Sequence, residues 1–372
     1  MAGKAKISQL QNSIARMLII VVAMGILAGC GGSLPSTELP SGREVAPALE
    51  FPGLRDYRGI VDCKMRASGF DQSKLAELAG SAQLDFVFLG DEAKPGSSDF
   101  GIGGFSGDVL FFPGAAYKIG DSGAEIVALN LQRPVDPSRD LIAQIHDQGG
   151  LALASNLAAF SSSDDYALAD LVEIYNLDRA WHQRNAASLY FHAVFFGADH
   201  FFANLDEVSD DAIIYDRNSG ARMGLVAGVG AAPNKNVMGT KVGTYEQIFE
   251  LTTTHIIATE RQADPIVDAL RHGHAYVAFD FLGYVPNFMF FAQAGDHKVM
   301  MGDEVPMTAS PKLKVEMPAQ ADKVVLVDNG SELETATNVS TFEYTPTAPG
   351  VYRIEAYRRG HPWIYSNPIY VR

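Results

Sequence analysis

Short, nearly uncharged apolar runs alternate with helix-like segments between residues 58 and 230, and this alternation constrains the fold more than any other feature of the chain. Runs of this length, bounded by turn residues, are typical of strands covered on both faces. The runs are RGIVDC (58–63), LDFVFLG (84–90), DVLFFPG (108–114), EIVALNL (125–131), LALASNL (151–157), LVEIYNL (171–177) and GLVAGVG (224–230). Strands and helices in alternation predict a parallel α/β sheet or barrel, and seven such strands suit a barrel better than an open sheet.

Helix candidates lie between some of these runs. QSKLAELAGSA covers residues 72–82, and SRDLIAQIHDQGG covers residues 138–150. We expect Ser138 to be the N-cap of the second helix and Gly149 to end it, because serine accepts bonds from free helical N–H groups and glycine adopts the left-handed conformation found after many helices.

The helical period disappears near residue 287. Before that point the pattern continues with THIIATE, a helix over residues 263–273 and a strand reading HAYVAFDF. After it come short alternating runs separated by Gly, Pro, Asn and Asp, at 288–292, 313–317, 324–327, 341–344, 351–357 and 369–372. The sequence therefore predicts an α/β barrel over residues 51–286 and a small antiparallel β-sandwich over residues 287–372.

The amino terminus has the pattern of a secretory signal over residues 1–29. Basic residues precede an apolar run, MLIIVVAMGIL (17–27), which is too short to span a bilayer. An anchor helix that is never removed is the alternative. The tetrapeptide LAGC that ends at Cys30 resembles the lipobox of bacterial lipoproteins, and this resemblance implies acyl chains on Cys30.

Residues 30–50 are rich in Gly, Ser and Pro and indicate a flexible tether. Gly31 stands where lipoproteins kept in the inner membrane often carry Asp. We therefore predict a lipid-anchored protein of the bacterial cell envelope, on the outer membrane and facing the periplasm.

The chain is acidic, with 29 Lys and Arg against 44 Asp and Glu, a formal net charge of −15. Loss of residues 1–29 would remove Lys4, Lys6 and Arg16 and change the balance to 26 − 44 = −18. A charge of this sign argues against nucleic-acid binding. Of the two cysteines only Cys63 would remain free, so no disulfide is expected within the chain.

Polar residues close several of the predicted strands, where parallel α/β barrels place their chemistry. Asp62, Cys63 and Lys64 end the first run, and residues 90–92 end the second. Ser155 and Asn156 end the run at 151–157, and residues 230–232 follow the last. These are the positions where a catalytic or metal site is expected.

The order of these endings resembles the PHP (polymerase and histidinol phosphatase) family of metal-dependent phosphoesterases, and more closely its secreted branch with a carboxyl-terminal β-sandwich. This resemblance implies a distorted (β/α)7-type barrel followed by a small antiparallel β-sandwich. The family opens with G-x-x-H-x-H followed by S-D, and this chain reads GIVDCKMRAS at 59–68. The family endings T-D-H, P-G-x-E and G-x-D-A-H correspond to GDE (90–92), PGAA (113–116) and GVGAA (228–232). The family strand G-G-L-x-x-x-A-H-P corresponds to GGLALASNL (149–157), and E-x-x-N is present as EIYN (173–176).

The family's scaffold residues are present, but most metal ligands that the resemblance implies are replaced. Only Asp91 is unchanged; the other ligand positions hold Asp62, Lys64, Glu92, Ala116, Asn156, Gly230 and Ala232. Imidazole suits transition metals, whereas alanine and glycine offer no side-chain donor and lysine brings a positive charge that opposes a cation. We therefore expect no catalytic residues and no metal, with Lys64 in a buried ion-pair cluster with Asp62, Asp91 and Glu92.

A residual site is the alternative. Asp62, Asp91, Glu92 and Asn156 offer hard oxygen ligands that could hold a single Mg or Ca ion, as in a phosphoesterase with an altered carboxylate-based site. Against it, one weakly held ion generates hydroxide poorly. The sequence thus favours a non-catalytic pseudoenzyme that binds a small molecule, an envelope polymer or a protein partner.

A glycine-rich run, GIGGFSGD (101–108), has a superficial likeness to a phosphate-binding loop. It lacks the Gly-Lys-Ser/Thr ending of such loops, so we interpret it as a flexible loop of the barrel.

Overall fold

A computed structural model describes residues 49, 51–93, 100–183, 210–217, 222–232, 234–237 and 240–372. Glu44–Arg372 forms one compact unit, with a mixed α/β structure that is mostly sheet. The predicted signal, the lipidation site Cys30 and most of the tether lie outside the described residues. Within the described ranges, no helix is long and apolar enough to cross a membrane. The division into 51–286 and 287–372 stays a prediction.

The amino-terminal part contains strands and helices in alternation. Its strands are β1 (Arg55–Cys63), β2 (Phe86–Leu89), β3 (Gly104–Ser106), β4 (Val109–Phe112), β5 (Gly114–Ile119), β6 (Ala124–Leu129), β7 (Leu151–Ser155), β8 (Leu171–Asn176), β9 (Gly224–Gly230), β10 (Lys235–Val237), β11 (Thr240–Val242), β12 (Thr253–Ala258) and β13 (Ala275–Ala278). Its helices are α1 (Gln72–Ser81), α2 (Leu141–His146), α3 (Leu177–Gln183), α4 (Asp210–Arg217), α5 (Tyr245–Ile248) and α6 (Ala263–Arg271).

The strand pairing is only partly parallel. β1 pairs in parallel with β2 and β9, β2 with β4, and β8 with β7 and β9. In contrast, β5–β6 and β6–β7 are antiparallel, which the sequence did not predict. Beyond the end of β2, Glu92 forms an isolated bridge with Ala116 of β5, and the described residues contain no strand ladder between β2 and β5. The sheet is therefore not closed into the predicted (β/α)7-type barrel in this part of the chain, although β1, β2 and β4, and likewise β7, β8 and β9, lie side by side in parallel.

The two faces of β2 illustrate how the core is built. Val87 and Leu89 pack with Leu75 and Leu78 of α1, whereas Phe86 and Phe88 face the other way into a second apolar cluster. In that cluster the rings of Phe88 and Phe112 stack with centroids 3.9 Å apart. Both faces of β2 are buried, and for this reason its sequence is an uninterrupted apolar run.

Side-chain caps set the helix starts. Asp71 accepts a bond from the Lys74 amide and begins α1 where the sequence predicted it. The predicted N-cap Ser138 is wrong: Asp140 accepts from the Ala143 amide and begins α2 later, while the Ser138 hydroxyl donates to Asp136. Aspartate competes well for this position because it is an N-cap as good as serine.

The carboxyl-terminal part is built from strands. They are β14 (Met289–Ala294), β15 (His297–Met300), β16 (Glu304–Val305), β17 (Lys312–Asp328), β18 (Ser331–Tyr344), β19 (Gly350–Arg358), β20 (His361–Ser366) and β21 (Ile369–Val371). They pair antiparallel except for β16 with β21. β20 also pairs with β13, so the sheet continues from the amino-terminal part.

Candidate functional site

The ends of β1, β2 and β9 meet around Asp62. The Lys64 amide donates to the Gly230 carbonyl and the Gly90 amide donates to the Cys63 carbonyl, at 2.9 and 3.0 Å. Asp62 is fully buried and has a positive φ of 50°. A Cβ at Gly90 would overlap the Asp62 carboxylate, so the glycine leaves the space that this side chain fills.

Glu173 on β8 is the second buried acid of the site. Its Oε2 accepts bonds from the Ser155 hydroxyl at 2.5 Å and from Arg179 at 2.6 Å. Its Oε1 accepts from the Asn176 amide at 2.8 Å, and the same amide nitrogen donates to Asp62 at 3.3 Å. The Asn176 side chain therefore links the two carboxyl groups.

Arg179 on α3 joins this acid to a second helix. Its guanidinium donates to Glu173 and, at 2.8 Å, to Asp211 on α4, and both carboxylates are buried. The Arg179 side chain contacts two acids and the Ser155 hydroxyl, and it therefore holds α3 and α4 against the end of β8.

Lys64 pairs with an acid that the sequence analysis did not select. Its ammonium lies 2.6 Å from Glu125 Oε2, and both side chains are largely buried. Burial alone would lower the pKa of Lys64, but Asp62, Glu125 and Glu173 outweigh it and hold that pKa above its ordinary value. Lys64 is therefore a fixed positive charge at the end of β1.

The other selected residues lie in separate pairs. Asp91 accepts from the Arg66 amide at 2.7 Å and faces the Arg66 guanidinium at 3.3 Å. Glu92 forms an exposed pair with Lys118 at 2.6 Å. Asn156 donates to the Gly123 carbonyl. The single cluster expected around Lys64 is thus corrected: Asp62 acts on Lys64 electrostatically, whereas Asp91, Glu92 and Asn156 have other partners.

The partners that the sequence analysis missed are Arg66, Lys118, Glu125 and Arg179. For Glu125 a signal was present, because it is the one acid in the apolar run EIVALNL, and a buried acid requires a partner. For Arg179 the signal was weaker: it lies three residues after Asn176, whose side chain accepts a bond from the Arg179 amide at 3.0 Å.

Burial changes the pKa of the two buried carboxyl groups of the site, those of Asp62 and Glu173. It raises the pKa of Asp62 well above the ordinary value, against the opposing effect of Lys64. It also raises the pKa of Glu173, against the opposing effects of Arg179, Ser155 and Asn176. Such groups bind more protons in the folded than in the unfolded chain, so the stability they contribute is present at low pH and is lost as the pH rises through the folded pKa.

Asp62→Asn is expected to remove part of this pH dependence. The amide cannot ionise, and asparagine tolerates a positive φ. We expect the free energy of unfolding of the variant to fall less steeply than that of the parent above about pH 4, the region of the unfolded aspartate pKa. Urea unfolding from pH 4 to pH 8 checks this, with exposed Glu77→Gln as control. An unchanged slope for Asp62→Asn would contradict the assignment.

The residues at these strand ends do not fit the transition-metal cluster that the PHP resemblance implies. Lys64 places an ammonium group there, and Ala116, Gly230 and Ala232 offer no side-chain donor. In the described part of the chain, no group of three or more His, Cys, Asp or Glu side chains could hold a metal ion. Asp62 Oδ1 and Asp91 Oδ2 are buried and accept no hydrogen bond within that part. Asp91 Oδ2 nevertheless faces the Arg66 guanidinium at 3.3 Å, so Asp62 Oδ1 is the oxygen of this pair that no cation among the described residues contacts directly.

Comparison with known proteins leaves the family open. No family model matches the chain, and no curated protein matches it. Among solved structures, it is similar to the crystal structure of a two-domain protein containing a predicted PHP-like metal-dependent phosphoesterase from Bacteroides vulgatus ATCC 8482. The match has a TM-score of 0.44 and 11% identity and covers 87% of this chain and 97% of that one. A likeness of this size assigns neither a fold nor a function to the chain.

Proposed function

We propose that the chain is a lipid-anchored envelope protein whose PHP-like barrel has lost its metal ligands and acts without catalysis. Its role is to bind a small molecule, an envelope polymer or a protein partner, with the carboxyl-terminal strands as a β-sandwich beside the barrel. The motif order of the sequence supports the scaffold, and the residues at the strand ends support the loss of chemistry.

One observation carries the proposal: Lys64 corresponds in sequence to a family ligand position, and its ammonium group is paired with Glu125 at 2.6 Å. A fixed cation and its own carboxylate satisfy each other there, so a metal ion would have to displace a buried ion pair. Arg179 similarly engages Glu173 and Asp211. The site is held together by the protein's own charges.

The membrane assignment rests on the amino-terminal sequence. The basic residues, the apolar run and the lipobox-like LAGC support export and acylation at Cys30. The acidic net charge supports partners other than nucleic acid. Under this proposal the body faces the periplasm from the outer membrane.

A metal-dependent phosphoesterase with an altered site is the second candidate. The observation in its favour is that Asp62 Oδ1 and Asp91 Oδ2 are buried without hydrogen-bond donors in the described part of the chain. Carboxylate oxygens are the ligands that Mg and Ca prefer, although Arg66 lies 3.3 Å from Asp91 Oδ2 and would oppose a cation there.

Phosphodiester turnover separates the two candidates. The purified chain is assayed with a chromogenic phosphodiester in added Mn, Zn, Mg and Ca, beside Asp91→Ala. We expect no metal-dependent turnover, because Lys64 and the glycine and alanine positions leave no site that generates hydroxide. Metal-dependent turnover that Asp91→Ala abolishes would establish the second candidate.

A further inference from the structure

A glycine-rich loop displays two large apolar side chains to solvent. Ile102 is 74% exposed and Phe105, at the start of the β3–β4 hairpin, is 50% exposed. The loop sequence from 100 to 107, FGIGGFSG, carries no charge in a chain with a net charge of −15. These two side chains lie within four residues on one loop and are called the patch below. Exposed apolar surface marks protein or membrane contact sites where it is large and contiguous.

The loop is fixed in this exposed arrangement by its neighbours. Gln72 at the start of α1 binds the Ile102 backbone twice, donating to its carbonyl at 2.7 Å and accepting from its amide at 3.0 Å. The Phe105 ring lies 5.6 Å from the Arg261 guanidinium, which pairs with Asp85 at 2.8 Å. The backbone is thus held while the Ile102 side chain contacts little of the protein.

The patch differs from the other large apolar side chains that are exposed in the described residues. Leu168 and Tyr284 stand singly in separate loops, and Leu333 stands singly in β18. Single exposed apolar residues are normal on protein surfaces, so the two that share one loop are the stronger candidate for a contact surface.

We propose that the Ile102–Phe105 loop is a membrane-contact surface that inserts into the interface of the bilayer to which the chain is tethered. The proposal rests on the lipid anchor at Cys30. Residues 31–48 separate that cysteine from the first described residue, Leu49, and the chain from Cys30 to Leu49 reaches at most about 65 to 70 Å. The tether therefore keeps Leu49 within that distance of the bilayer and raises the effective concentration of the whole body, the loop included, at the membrane surface.

The chemistry points to apolar insertion and not to headgroup charge. The chain as a whole is acidic, and Arg261, which lies beside Phe105, is already paired with Asp85. Burial of the two apolar side chains is therefore the main source of the contact. It should consequently persist at high salt, where electrostatic contacts are screened.

A fluorescent reporter beside the patch tests the proposal on the full chain. Ser106→Cys is labelled with a polarity-sensitive dye in chain reconstituted into phosphatidylethanolamine and phosphatidylglycerol vesicles; Cys63 is buried and does not compete. We expect a blue shift and quenching by acyl-chain nitroxides, both insensitive to salt. Ile102→Ser should lower the affinity of the loop for the bilayer about tenfold, because burial of one large apolar side chain contributes on this scale. Leu168→Cys carrying the same dye is the matched control and should stay water-exposed.

The outcomes separate the loop from the anchor. A vesicle-bound chain whose Ser106 reporter stays in water overturns the loop proposal, as does a blue shift that Ile102→Ser and Phe105→Ser leave unchanged. Shielding that requires added envelope proteins also overturns it, because the occupant is then a protein. If Cys30→Ser does not alter vesicle association, the anchor assignment is wrong. The loop can then still be tested, because an excess of vesicles should shift the emission of the Ser106 reporter even without an anchor. If the emission does not shift under these conditions, the loop proposal is overturned as well.

Discussion

Arg179→Ala is expected to lower the free energy of unfolding at pH 7 by about 3 to 5 kcal/mol, the range for removing one partner of a buried ion pair. The substitution leaves the buried carboxylates of Glu173 and Asp211 without their shared cation. It also removes one partner of the Ser155 hydroxyl. Urea unfolding followed by circular dichroism measures the loss.

The pH dependence of that loss identifies its cause. Burial already raises the pKa of Glu173, and without Arg179 this acid would bind a proton more readily, so the loss should shrink as the pH falls. Adding Glu173→Gln should recover part of the stability. Arg139→Ala, which removes an exposed pair with Asp136, should cost less than about 1 kcal/mol. A loss for Arg179→Ala as small as for that control would contradict a buried ion-pair network.

Asp216→Ala should also cost about 3 to 5 kcal/mol, by breaking the contact between α4 and β19. Asp216 accepts two bonds from the Arg353 guanidinium, at 2.7 and 2.6 Å, and Arg353 is buried. After the substitution Glu355, at 2.7 Å, is the remaining acid in contact with Arg353 in the described structure. The free energy of unfolding from urea melts checks the prediction.

A double replacement shows whether the guanidinium that has lost its two bonds to Asp216 is responsible for the loss. In Asp216→Ala/Arg353→Met the buried cation is gone, so we expect the double variant to be more stable than Asp216→Ala alone. Lys312→Ala, which removes an exposed pair with Glu343, should change stability by less than about 1 kcal/mol. A double variant that is less stable than the single one would show that Arg353 contributes mainly by packing and by its pair with Glu355.

The strands that could be predicted are those with an unbroken apolar run. GLVAGVG was predicted at 224–230 and forms β9 over the same residues. The β5–β6 hairpin was missed because Pro113 was interpreted as a strand end, whereas the chain begins a new antiparallel strand directly after it. The runs at 313–317 and 324–327 belong to one strand, β17, because a register shift after Glu316 breaks the side-chain alternation while pairing to β18 continues.

The same limits apply to the site. Asp62 and Lys64 could be selected because they interrupt an apolar run at its end. The partner of Lys64 could not, because Glu125 reaches the site through the antiparallel register that places it beside Ser155. Arg179 contacts Glu173 only because α3 folds back over β8, and side-chain contacts of this kind depend on tertiary packing that periodicity does not encode.

Metal stoichiometry tests the central claim most directly. The purified full chain is dialysed against Mn and Zn, freed of unbound ions, and its metal content is measured by mass spectrometry beside that of Lys64→Ala. The ion-pair account predicts far less than one metal per chain in the parent, because Lys64 and Glu125 satisfy each other at the ligand position. Two or more metals per chain, lost on Asp91→Ala, would contradict it and identify a working metal centre.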